Sequence, residues 1–280
     1  MKCSPTAREL RQFVASAWAL FVLTFAGSSH AASEWVDRGL TMPQLGVSFD
    51  LGVGVTHTNG GAAPDTGVGM NLEAALGILD NLEISLRAGL RMGNGARATQ
   101  ADDQGRLFDL ETYGTGGDLF ANPELRVLGR LLDLSVVELG LEGRVYAPFE
   151  TGTRTSFLLG VPLRLHFGRI VRIDTGVYVP VVFYANGGGP VANAVSANIP
   201  VEVWFQVTHR FFVGPLTELR VNNDDPALGV DHGAGVLLGF GLGYQISRFA
   251  DFKAAFDFPR LNGTPGPDFG AGAGLGLHFE

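Results

Sequence analysis

From residue 44 onward the chain alternates. In residues 44–57, QLGVSFDLGVGVTH, the odd positions are Leu45, Val47, Phe49, Leu51, Val53 and Val55, with a histidine at the end. Gln44, Gly46, Ser48, Asp50, Gly52, Gly54 and Thr56 take the even ones. Successive side chains of a strand point to opposite faces, so this stretch makes one apolar ribbon and one polar ribbon. The pattern recurs near 67–78, 82–92, 119–129, 136–147, 156–167, 172–183, 197–207, 211–221, 233–246, 252–258 and 268–279, which makes twelve segments. Each is about as long as a strand that crosses a bilayer at a tilt. No window after residue 43 shows a helical period of 3.6.

The links between segments alternate as well. Long ones fall near 58–66, 94–118, 148–155, 184–196, 222–232 and 259–267, and short ones near 79–81, 130–135, 168–171, 208–210 and 247–251. An antiparallel meander built this way has tight turns at one end and loops at the other, as transmembrane barrels do. In a soluble sandwich the apolar ribbon would face a core. Here that ribbon is almost purely Leu, Val, Ile, Phe and Ala, and its opposite carries glycine in some segments and Arg, Glu or Tyr in others. Twelve strands also enclose more space than such side chains fill, since a packed interior needs only about eight strands. The apolar ribbon therefore faces lipid and the polar ribbon a wet lumen. Lipid-facing strands require a closed sheet, because an open edge leaves peptide groups unbonded in hydrocarbon. The predicted fold class is all-β, a transmembrane antiparallel up-and-down β-barrel of about twelve strands. An even number puts both ends of the chain on one side.

The first 31 residues read as an export signal. Lys2, Arg8 and Arg11 form a basic start, residues 13–25 an apolar run, and Ser29 and Ala31 the small residues before a cut after Ala31. The cut would remove Cys3, the chain's one cysteine, leaving no thiol or disulfide chemistry. It would also remove three bases and one acid, taking the net charge from -8 to -10. That sign excludes a nucleic-acid partner.

On this pattern residues 44–280 resemble a Gram-negative outer-membrane β-barrel of the porin-like kind. The most specific piece is the end, GAGAGLGLHFE, where Leu275, Leu277 and Phe279 alternate into a terminal aromatic. The resemblance makes these three residues the signal that the barrel assembly machinery reads, with Glu280 following as a departure from the usual last-residue aromatic. It implies a signal peptide over 1–31, a periplasmic N-terminal segment over 32–43, a barrel over 44–280, a place in the outer membrane, and lipid as the surrounding partner.

The lumen-lining candidates are Arg87, Arg91, Glu124, Arg126, Glu138, Glu142, Arg144, Arg164, Asp174 and Glu202. Acids and bases nearly balance there, which permits cross-strand ion pairs that stiffen the wall. Glycines instead fill the inner ribbon near the closing seam, at Gly46, Gly52, Gly54, Gly67, Gly69, Gly235, Gly239, Gly241, Gly243, Gly270, Gly272, Gly274 and Gly276. Strand glycine marks curvature or the close approach of another group. The long link 94–118 carries Asp102, Asp103, Asp109 and Glu111, and is expected to fold inward as a constriction loop with its acids toward the arginine side. A polar, outward loop is the competing reading.

Nothing points to an enzyme. The six histidines lack metal-ligand spacing; the acidic rim with His232 (Asp102, Asp103, Asp224, Asp225, Asp231) resembles that of omptin-type proteases, whose barrel has fewer strands, and no serine and histidine are placed together on the outer rim as phospholipase chemistry requires. No cofactor or metal is expected. The leading function is a passive pore for small polar or charged solutes. The alternative is a structural or anchoring barrel of an envelope-spanning complex for motility, secretion or adhesion, its lumen plugged.

Overall fold

In the computed structural model the described residues are 34–58, 65–92, 99–101, 107–109, 120–148, 155–182, 194–222, 233–258 and 269–279. The strands are β1 (Val47–Thr58), β2 (Asp65–Leu79), β3 (Leu82–Met92), β4 (Thr99–Ala101), β5 (Leu107–Asp109), β6 (Glu124–Asp133), β7 (Val137–Tyr146), β8 (Ser156–Phe167), β9 (Val171–Val182), β10 (Ala194–Gln206), β11 (Phe211–Asn222), β12 (Gly233–Ser247), β13 (Ala250–Phe258) and β14 (Phe269–Phe279). Twelve of them form a closed antiparallel barrel in which each pairs with its neighbour in sequence, and β1 pairs with β14 from Val47↔Phe279 to His57↔Phe269. β4 and β5 form a separate small hairpin between β3 and β6.

The alternation faces outward as expected. Leu51, Leu86, Leu141 and Val177 are 45%, 60%, 53% and 49% exposed on the outer surface, while their neighbours Ser85, Glu142 and Tyr178 are buried inside. The apolar belt thus lies on the exterior of a sheet whose backbone groups are bonded around the ring, which is the arrangement hydrocarbon requires. Tight turns at 80–81, 134–136, 168–170, 207–210 and 248–249 gather at one end with the start of β1 and the end of β14. This is the periplasmic end. Gly168 takes φ +62° in one of these turns, the left-handed region that glycine tolerates best.

One seam is short. β3 and β6 pair only from Leu82↔Gly129 to Arg87↔Glu124. Beyond that, among the described residues, they are joined by the bridge Leu90↔Phe120 and a bond from the Ala121 N–H to the Gly89 carbonyl. The sequence pattern starts this strand at 119, but its ladder starts at Glu124. Pro123, just before it, has no N–H to give.

Leu86 stands on the exterior near mid-strand. Leu86→Arg should lower the stability of the barrel in phospholipid vesicles by about 2–4 kcal/mol, and Leu86→Val by far less. Urea unfolding of the reconstituted protein measures both. Equal stability of the two variants would place residue 86 away from lipid.

Candidate functional site

Seven charged side chains on four adjacent strands make a continuous chain of alternating sign along the inner wall. It runs Glu142 (β7), Arg144 (β7), Glu124 (β6), Arg87 (β3), Glu73 (β2), Arg126 (β6), Glu83 (β3). Arg144 binds Glu142 closely and stands 3.6 Å from Glu124. Arg87 is 3.6 Å from Glu124 and binds Glu73 through two nitrogens, with Nε at 2.9 Å. Arg126 reaches Glu83 at 2.6 Å and Glu73 at 3.4 Å, and its Nε–H donates to Ser85 Oγ at 3.0 Å. Register explains the chain: Glu73↔Arg87, Arg87↔Glu124 and Ser85↔Arg126 are direct cross-strand neighbours. All seven side chains are buried.

Below this chain, at the periplasmic mouth, residues 34–42 lie inside the barrel. A single 3-10 turn, Trp35–Asp37, carries Trp35 and Val36 into the interior, and Leu40 and Met42 follow. The wall holds the segment largely by its backbone. Arg172 Nη1 donates to the Trp35 carbonyl at 2.6 Å, and Arg164 Nη1 to the carbonyls of Arg38 at 2.9 Å and Gly39 at 2.5 Å. Glu138 Oε2 accepts the Leu40 N–H at 2.8 Å, and Glu83 Oε2 accepts the Met42 N–H at 3.0 Å. His166 bridges the Val36 carbonyl, 2.9 Å from Nδ1, and the Glu138 carboxylate, 2.8 Å from Nε2. Asp174 orients both arginines, at 2.5 Å from Arg164 and 2.9 Å from Arg172. Charge-assisted bonds of this kind are the stronger ones, so the segment is firmly located.

Two of the segment's side chains add specific contacts. The Trp35 ring stacks on Phe212 with centroids 4.5 Å apart and planes 3° apart, and meets Trp204 edge-on at 6.0 Å. The Arg172 guanidinium stands 4.6 Å from its centroid and Lys253 Nζ 5.3 Å, within cation–π range. Arg38 reaches Asp251 at 2.6 Å, and Asp251 is also 2.9 Å from His278 Nε2. Some inner glycines now have a reason. A Cβ on Gly243 would lie 2.0 Å from the Phe212 ring, and one on Gly241 2.4 Å from the Trp204 ring. The bare backbone of β12 thus makes room for the rings that receive Trp35.

Of the residues singled out in the sequence, Arg87, Glu124, Arg126, Glu142 and Arg144 belong to the charge chain. Glu138, Arg164 and Asp174 hold the segment at the mouth. Glu202 accepts a bond from the Trp204 indole N–H at 3.2 Å. The side chain of Arg91 lies outside the described residues, as do Asp102, Asp103 and Glu111 and the side chain of Asp109. β4, in that same loop, lies against β14, β1 and β13, of which β14 and β1 carry inner glycines and β13 carries the inner Asp251, Lys253 and Asp257. Phe279 pairs with Val47 at the closing seam and stacks on Phe249. Sequence reasoning missed the placement of residues 34–42 in the lumen, and with it Trp35, Trp204 and Phe212. A signal was present: Trp204 and Phe212 occupy the polar phase of β10 and β11, where an aromatic has no lipid to meet.

The fold is that of outer-membrane porins and channels. An outer-membrane channel from Pseudomonas putida F1 is similar with a TM-score of 0.60 over 87% of this chain and 99% of that one, at 14% identity. The NanC porin is similar with a TM-score of 0.58 over 82% of this chain and 98% of that one, at 10% identity. No family model matches the sequence, and no curated protein does.

Arg126 tests the charge chain. Arg126→Ala leaves Glu83 and Glu73 facing each other without their shared cation, and should cost about 3–5 kcal/mol in urea unfolding. A double variant, Arg126→Met with Glu83→Gln, should recover much of the loss. A cost under about 1 kcal/mol for the single variant would mean that water already screens these groups.

Proposed function

We propose that the protein is an outer-membrane channel for small polar or charged solutes, exported by a signal over residues 1–31. The chain of alternating charges on the inner wall carries this reading. Fixed groups of both signs stand on the lumen face of the sheet and not on its lipid face, and linings of this kind set selectivity in pores. The likeness to an outer-membrane channel and a porin supports it at the level of fold. The position of β4 against β14, β1 and β13 supports an inward course for the 94–118 loop. In this reading Asp102, Asp103, Asp109 and Glu111 narrow the path from the extracellular side. A closed, anchoring barrel is the rival, and the filled periplasmic mouth is the observation in its favour.

Single-channel recording in planar bilayers decides between them. Folded protein, either the full chain or a variant without residues 34–42, should give discrete steps. Replacing residues 97–115 with a Gly-Ser link should enlarge the step and change its charge selectivity. Silence of both folded proteins would leave the anchoring barrel standing.

A further inference from the structure

We propose that residues 34–42 are a displaceable plug, and that the periplasmic mouth is a binding site for this tryptophan-bearing peptide. The inference rests on the channel reading and adds a closed and an open state to it.

The contacts are those of a ligand in a site. The segment joins no strand of the barrel, so its departure breaks no ladder bond. Nearly every hydrogen bond that holds it comes from the tip of a wall side chain: Arg164, Arg172, His166, Glu138, Glu83 and Gln206. These groups sit at the open end of the barrel, where periplasmic water can solvate them once the segment leaves. Its anchor is one large ring in a slot made by Phe212 and Trp204, with Gly241 and Gly243 supplying the space. The latch is Arg38 on Asp251. At the other end the chain turns tightly, Gly46 N–H to the Pro43 carbonyl at 2.9 Å, directly before β1. The segment therefore has a pivot at 43–46, an anchor at Trp35 and a latch at Arg38.

A short tether gives a linked ligand an effective concentration on the order of millimolar. Modest intrinsic affinity then keeps the mouth shut while still allowing release. Because most bonds go to backbone atoms, the site reads the path of the main chain and an aromatic ring rather than a long sequence. The same peptide should therefore bind in trans to a barrel that lacks it.

The test uses a variant lacking residues 34–42 and the synthetic peptide EWVDRGLTMP. Heat-modifiable migration on gels confirms that the barrel is folded. If that variant does not fold, the full-length Trp35→Ala, Arg38→Ala variant takes its place. The unplugged protein should show at least a several-fold larger or more frequent open step than the full chain. Peptide on the periplasmic side should close it in a dose-dependent manner below about 10 mM, and the Trp35→Ala peptide should need at least ten-fold more. Full chain and unplugged protein that conduct alike overturn the plug and leave the channel intact. Larger steps that the peptide does not close overturn the binding site. Silence of both overturns the plug together with the channel.

Discussion

A peptide group in hydrocarbon has no water to bond, and most of this structure follows from that. Every strand must find partners on both sides, so the sheet closes on itself and β1 meets β14 over eleven residue pairs. Closure separates two environments across a single layer of backbone. The side-chain period of two then assigns each residue to one of them. Leu86 and Ser85 are adjacent in sequence, yet one meets lipid and the other accepts a hydrogen bond from Arg126.

The inside inherits the opposite problem. Polar groups taken from bulk water need partners, and an unpaired buried charge is costly. This chain solves it in two ways. In the middle of the barrel the wall balances its own charge, through neighbours of alternating sign from Glu142 to Glu83, with Glu124 held by ion pairs at 3.6 Å and not by hydrogen bonds. At the periplasmic mouth the wall is satisfied by the main chain of residues 34–42, whose carbonyls meet arginines and whose N–H groups meet glutamates. Glu83 belongs to both arrangements, with Oε1 on Arg126 and Oε2 on the Met42 N–H. The segment at the mouth and the charged wall above it are thus one hydrogen-bonded body.

The barrel was legible because its signal is repeated twelve times and because one environment, lipid, accepts only one kind of residue. The charged lining was legible for the same reason, as the complement of that pattern. The segment at 34–42 was not. It has no period, and its bonds run from backbone to side chains 41 to 170 residues away, such as Arg172 to the Trp35 carbonyl. No local pattern encodes a contact of that kind. What the sequence did carry was indirect: Trp204 and Phe212 in the wrong phase for lipid, beside the glycines of β12. Glycine there reads equally as curvature, and only the rings packed against Gly241 and Gly243 decide the matter. The loop acids, expected to face arginine, lie outside the described residues; β4 of the same loop lies against β14, β1 and β13.

The cluster of Trp35, Trp204, Phe212, Leu216 and Ala255 is an apolar patch inside a polar tube. A hydrated ion arriving from the charged middle of the barrel would leave a region that stabilises it and meet rings that cannot replace its water. The attraction between charges grows as the local dielectric constant falls, and so does the cost of stripping an ion of solvent. A gap beside the rings wide enough for a water molecule would still be a poor path for an ion, because narrow apolar constrictions dewet. A constriction at these rings would therefore oppose an ion as an insulator as well as by bulk.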